Sequence, residues 1–194
     1  MVMPQSRRDF LLRATALAGA TLVGGHVDAA GQKVLVAVIP TQPATFDPLN
    51  QGSHDAMVVS QLIFENLIEV DVDGKLRPML AKALPDISAD RLTYTFQLRD
   101  DVTFQNGAKF TAADVKYSYD YMLNPANKAL RRSYWLSISR VEVVSDHVVR
   151  IVLSRPCRPL LDYMTKYMGI FPVGSREAHG PDYFQSTPIG VGTG

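Results

Sequence analysis

Over residues 92–123 the hydrophobic period of the chain changes in mid-run. Leu92, Tyr94, Phe96 and Leu98 alternate with Thr93, Thr95, Gln97 and Arg99, the period-2 pattern of a strand with one buried face. Asp100 and Asp101 predict a turn, Val102, Thr103 and Phe104 a short return strand, and Asn106-Gly107 a tight turn. Thr111 and Asp114 then stand at capping-box spacing, in which the threonine hydroxyl satisfies an amide of the first helical turn. Val115, Tyr119 and Met122 follow at i, i+4 and i+7 and predict a helix with one inward face, ended by Asn124-Pro125. The unit reads as a hairpin feeding a capped helix.

The same reading extends along the chain. Residues 33–39 form a continuous apolar run suited to a buried strand. They lead into a loop over 40–48 whose prolines, Pro40, Pro43 and Pro48, hold an extended path. Ser53 predicts the cap of a helix from 54 to about 65, with Met57, Gln61 or Leu62, and Phe64 inward. Residues 67–70 and 75–77 flank Asp73-Gly74 as a hairpin, and 77–83 suggest a short helical turn. Residues 138–145 and 148–154 alternate across Asp146-His147 as a second hairpin, with Val141 and Val143 on one side of the first strand and Val149, Ile151 and Leu153 on one side of the second. Pro156 and Pro159 break that strand. A helix is expected over 160–167 with Leu161, Met164 and Met168 inward, then a short strand over 170–172, then a turn from Ser175 to His179. Residues 124–137 are the least regular. There Lys128, Arg131 and Arg132 precede Tyr134 and Trp135, a pairing of cations and rings that suits an anionic or planar ligand, or else a loop whose aromatics fold back over the core.

Composition narrows the chemistry. With 194 residues, 46% of them hydrophobic, the chain can bury one core or slightly more. A net charge of +1 with scattered basic residues excludes a nucleic-acid surface. Cys157 is the only cysteine, so no internal disulfide or cysteine metal cluster is possible; it reads as a half-buried small residue, with a reactive thiol as the alternative. His26, His54, His147 and His179 have no metal-site spacing. Gly190, Gly192 and Gly194 lack the lysine and the helix of a phosphate loop, and Gly174-Ser175 lacks a nucleophile elbow. Asp100-Asp101 reads as a solvated turn. No catalytic residue, metal ligand or cofactor is expected.

The N-terminus carries an address. Arg7 and Arg8, with Phe10 and Leu11, match the twin-arginine export pattern, and an apolar run over 14–25 is too short to span a membrane. Val27, Asp28 and Ala29 suggest cleavage after Ala29, which removes three arginines and two aspartates and leaves the remainder formally neutral. No cysteine stands there to take a lipid. The pattern implies a Tat translocase as partner and export of a folded chain to the periplasm; an amphipathic N-terminal helix is the plainer alternative.

Asp73-Gly74, Pro78, Leu80-Ala81, Tyr94-Thr95-Phe96, Leu98-Arg99, Val102, Phe104, Gly107, Phe110-Thr111 and Asp114-Val115 together resemble, in order, the extracellular solute-binding proteins of family 5, the binding components of bacterial peptide and nickel ABC importers. Leu84-Pro85 departs from the tryptophan usual there. The Phe46-Asp47-Pro48 segment and residues 187–194 resemble further segments of that family, the latter with Val191 substituted or inserted. The resemblance implies an α/β fold: a type II periplasmic-binding-protein lobe with a mixed sheet and an inserted hairpin-and-helix subdomain, incomplete in this chain. It implies a division into 1–29 (signal), 30–52 (first strand and cleft loop), 53–168 (inserted subdomain) and 169–194 (return to the lobe). It also implies a monomer that binds a peptide or small solute and docks on an inner-membrane ABC permease, and it implies no enzyme. The cleft loop then offers Thr41, Gln42, Ala44 and Phe46 to the ligand, with Tyr134 and Trp135 beside them, although a plain rigid connection is the other reading of that loop. An exported Tat-dependent enzyme and a non-functional truncated binding protein are the alternatives.

Overall fold

The computed structural model describes residues 27–29, 32–34, 45–179 and 191–192. Arg7, Arg8, Phe10 and Leu11 of the export pattern, the apolar positions 35–39, and Thr41, Gln42 and Ala44 of the loop lie outside the described residues. The chain divides into two compact units, Met1–Ile39 and Pro40–Gly194. In the first, β1 (Val27–Ala29) and β2 (Gln32–Val34) pair antiparallel, Asp28 opposite Lys33.

In the second unit Ser53 accepts the Ala56 N–H at 3.2 Å and starts helix α1 (His54–Gln61). Its buried face carries Ala56 and Ser60 and continues to Phe64. Met57 is only half-buried, Gln61 is exposed and Leu62 is 79% exposed, so the inward face is turned from the expected one. β3 (Ile68–Val70) and β4 (Leu76–Pro78) form the hairpin around Asp73-Gly74. After Pro78 the chain stays extended instead of coiling: Lys82 N–H donates to the Gln97 carbonyl at 2.7 Å and Arg99 N–H to that of Leu80 at 2.9 Å.

That segment, together with β5 (Asp86–Ile87), takes one edge of β6 (Thr93–Gln97). The expected hairpin between 92–98 and 102–104 therefore does not form. Instead β7 (Thr103–Phe104) folds on itself through Gly107, which holds φ at +85°, bridges to Lys109, and pairs with β10 (Val191–Gly192). Next comes helix α2 (Ala112–Leu123), whose Thr111 N–H donates to Asp114 Oδ2 at 2.8 Å within the expected capping box. Val115, Tyr119 and Met122 are buried as the spacing predicts, and Asn124 ends the helix by accepting the Ala126 N–H.

β8 (Ile138–Ser145) and β9 (Val148–Leu153) form the second hairpin, and β9 fills the remaining edge of β6, giving the order β5-β6-β9-β8. The inward rows are Tyr94 and Phe96, Val149, Ile151 and Leu153, with α2 packed over β9 and β8. On β8, register shifts at Ile138/Arg140 and Val143/Ser145 break strict alternation. Ile138 and Val141, on either side of the first shift, are buried; Val143 keeps the face of Val141, opposite Val149, but is exposed on this edge strand.

Helix α3 (Leu160–Met164) buries Leu160 and Met164 and leaves Leu161 partly covered. Residues 170–172 make no ladder, contrary to expectation. Their backbone is satisfied across α2: Phe171 N–H donates to Ser118 Oγ at 3.1 Å, and Val173 N–H to Asp114 Oδ1 at 2.9 Å. Helix α4 (Ser175–His179) follows. Gly169 sits where a Cβ would lie 2.7 Å from Phe64 Cβ and 2.9 Å from Pro48 Cβ. Gly169→Ala is therefore expected to destabilise the unit by about 1–3 kcal/mol through overpacking, read as a lower urea midpoint at unchanged slope.

Candidate functional site

Residues 45–50, which include the described end of the expected cleft loop (45–48), are built around one carboxylate. The Thr45 hydroxyl oxygen accepts the Asp47 N–H at 3.0 Å; Asp47 in turn accepts the Leu49 N–H on Oδ1 at 3.0 Å and the Asn50 side-chain amide on Oδ2 at 2.8 Å. The turn so fixed presents Asp47 to Arg176 in the first turn of α4. Nη1 donates to Oδ2 at 3.0 Å and Nη2 to Oδ1 at 2.5 Å, with side-chain exposures of only 4% and 3%. This two-point geometry is what a planar guanidinium fork and a carboxylate make best. The guanidinium carbon lies 4.5 Å from the ring centre of Tyr121 and 4.6 Å from that of Phe171, which cover it with cation–π contact.

Tyr117, one turn before Tyr121 on α2, closes the cluster. Its hydroxyl donates to Glu177 and accepts the Arg176 N–H at 3.3 Å. Burial pushes this phenol up to about 12, and the Glu177 carboxylate that accepts its proton acts in the same direction. It stays a protonated donor at neutral pH.

The aromatic turn Arg132–Trp135 is tied to this loop, because Leu130 N–H donates to the Leu49 carbonyl at 3.2 Å. Tyr134 is half-buried and stacks on Tyr163, ring centres 4.8 Å apart and 18° from parallel, with Tyr167 at 5.3 Å. Arg131 lies 4.4 Å over the Tyr167 ring and 5.9 Å from that of Tyr134. A groove of about 310 Å³ opens beside Tyr134 and Tyr163. Trp135 is different. It is fully buried, edge-on to Tyr119 at 5.4 Å and to Tyr163 at 6.4 Å. A ring with no exposed surface cannot touch a ligand, so Trp135 is corrected from binding candidate to core residue: of the two readings of this turn, folding back over the core is the one it follows.

The structure thus brings half-buried Phe46 and Tyr134 to segments joined by a backbone hydrogen bond, and leaves Trp135 in the core beneath. The arrangement offers aromatic faces, the Arg131 cation over them, and Arg155 and Arg158 along the groove. Among the described residues no group of three His, Cys, Asp or Glu could hold a metal, and no helix is long and apolar enough to cross a membrane. Sequence reasoning missed Asp47 and Arg176 as a pair. They stand 129 positions apart, and the one local hint is Asp47 before Pro48, where a turn-forming carboxylate is expected.

Comparison with known proteins follows the same elements. Residues 75–194 match the bacterial extracellular solute-binding proteins, family 5 Middle. The glutathione-binding protein GsiB of Salmonella typhi is 35% identical over 141 residues, covering 73% of this chain and 27% of that protein. Among solved structures, AgaA of A. tumefaciens R10 in complex with agropinic acid aligns with a TM-score of 0.71 and 31% identity, over 78% of this chain and 30% of that one. NikZ of Campylobacter jejuni in complex with Ni(L-His) gives 0.70 and 34%, over 78% and 30%. The chain spans less than a third of the length of these relatives. The fold is that of a type II periplasmic-binding-protein lobe, α/β in class.

Two mutational outcomes are expected. Arg176→Leu strands the Asp47 carboxylate and costs about 3–5 kcal/mol, while adding Asp47→Leu to it recovers a large part of that loss; urea unfolding of both variants measures the coupling. Trp135→Ala costs about 3–5 kcal/mol as a core truncation, whereas Tyr134→Ala, on a half-buried ring, costs less than half as much in the same assay.

Proposed function

The chain belongs to the bacterial extracellular solute-binding proteins of family 5, and on that premise we propose that it is the substrate-binding component of an ABC transporter, capturing a peptide or related small solute in the periplasm for import. The observation that carries this reading is the family match over 75–194. The relatives it aligns with are binding proteins and not enzymes, and their names point to three different small solutes: glutathione, agropinic acid and a nickel–histidine chelate.

On this reading 30–52 and 169–194 belong to the first lobe and 53–168 is its inserted subdomain. Thr41, Gln42, Ala44 and Phe46 of the loop, with Tyr134, line one wall of the cleft. The partners follow from the family: a second lobe that closes over the ligand by a hinge, an inner-membrane permease, and a monomeric state. Arg7 and Arg8, with Phe10 and Leu11, support export through the Tat translocase before the signal over 1–29 is removed.

One wall supplies part of the contacts, so binding by this chain is expected to be weak. The test is thermal melting of the chain with glutathione, dipeptides, tripeptides and the nickel–histidine chelate, each at high concentration. Ligand at tenfold its Kd adds about 1.4 kcal/mol to stability, a rise in Tm of about 3–6 °C for a unit of this size. A rise with one class and not the others supports the reading. No rise with any, together with absorbance above about 300 nm from a tightly held chromophore of the kind a redox enzyme carries, would overturn it.

A further inference from the structure

A second concave surface adjoins the groove beside Tyr134 and shares Pro156, Cys157 and Arg158 with it, but takes none of its lining from the 45–50 loop. It is a groove of about 550 Å³ bounded by Ile87 at the outer strand of the sheet, Tyr94 on β6, Arg91 in the turn between them, and Cys157, Arg158 and Leu161 at the start of α3. Its volume is in the range that holds a small organic molecule. Its floor is apolar: Tyr94 is almost fully buried, Leu161 is partly buried, and Ile87 is 45% exposed at the rim.

The charge at this groove is one-sided. Arg91 and Arg158 are both exposed, and neither side chain has a carboxylate partner among the described residues. The nearest carboxylate in sequence, Asp90, is turned into its own loop, where it accepts the Ser88 hydroxyl at 2.5 Å and the Leu92 N–H at 3.0 Å. Asp86 on β5 and Asp162 on α3 are exposed, and neither lines the groove. Arg91 also holds φ at +57°, a conformation that costs a non-glycine residue free energy. Burial is the first cause of the raised pKa of the Tyr94 phenol, the neighbouring Cys157 acts in the same direction, and Arg91 opposes them. Cation, thiol and phenol line the same groove.

We propose that this groove, built without the cleft loop and back to back with the groove beside Tyr134, is a binding site for a small amphipathic anion: one carboxylate or sulfonate set between Arg91 and Arg158, with a planar or branched apolar body lying on Tyr94, Ile87 and Leu161. Two unpaired guanidinium groups attract the acid, and the apolar floor adds the burial of its body. A neutral ligand of the same shape loses the first contribution. An anion without an apolar body loses the second.

Cys157, the only cysteine of the chain, reports on this space directly. The folded chain is treated with dithiobis(nitrobenzoate), an aromatic dianion, and separately with neutral dithiodipyridine, and each rate is divided by the rate of free cysteine with the same reagent. The anionic reagent is expected to be favoured at Cys157 by about fivefold or more at low ionic strength. The preference falls toward unity at about 0.5 M salt. It is lost in the Arg91→Gln/Arg158→Gln chain and kept in Arg91→Lys/Arg158→Lys, which preserves charge. Naphthoate protects the thiol; naphthalenemethanol does so at least tenfold less well. Equal normalised rates for the two reagents, equal protection by acid and alcohol, or a thiol that reacts with neither reagent in the folded chain would each overturn the proposal. Melting curves of all variants, which change only exposed side chains, confirm that the rates are read on folded protein.

Discussion

The buried pair of Asp47 and Arg176 is the constraint on which the second unit depends. Two charges removed from water are costly unless their geometry and their remaining hydrogen-bonding groups are well served. Here the fork is engaged at both nitrogens, the carboxylate takes two further donors from its own turn, and Tyr121 and Phe171 cover the guanidinium. None of these parts can leave alone without exposing the others. The loop after the first strand, the aromatic face of α2 and the last described helix are therefore held as one piece, although the chain between the two charges runs for 129 positions. Ser118 and Asp114 extend the arrangement by taking the backbone amides of Phe171 and Val173, which is why 170–172 needs no strand partner.

What the sequence reveals here is local. The capping box at Thr111 and Asp114, the inward row of Val115, Tyr119 and Met122, the turn at Asp73-Gly74 and the hairpin across Asp146-His147 are set by residues within a few positions of each other, and all are present. The partner of β6 is not local. Its alternation says that one face is buried and nothing about which strand lies beside it; β9, some fifty positions on, matches it over five residues and outcompetes the three-residue return strand expected at 102–104. The face of α1 was misread because Leu62 lies at the helix cap, where the chain leaves helical geometry and the side chain points to solvent. Val143 does share the face of Val141, standing opposite Val149 in unbroken register, and it is exposed because β8 is the edge strand of the sheet.

The candidate site divides along the same line. That Tyr134 and Trp135 stand next to cations is legible, but adjacent residues in a tight turn point in different directions, and only packing decides which ring meets solvent. Trp135 goes under α2 against Tyr119, and Tyr134 is left on top of Tyr163. The Asp47–Arg176 pair had no signal beyond a carboxylate before a proline, because the sequence carries no spacing rule for contacts made at long range.

These particulars bear on how such a lobe would bind. The two accessible aromatics of the site each stand beside a fixed neighbour: Phe46 precedes the clamped Asp47, and Tyr134 follows Arg132, whose Nε donates to the Leu123 carbonyl at 2.6 Å. The Leu130–Leu49 hydrogen bond joins the two segments. A wall fixed in this way does not have to be ordered when a ligand arrives, and ordering flexible segments is among the larger costs of association. On the proposed reading, the motion of capture would then fall on a hinge between lobes instead of on the loop. On that reading, selectivity would rest on the side chains that this rigid frame presents, and the buried Asp47–Arg176 pair would contribute to it only by holding the frame.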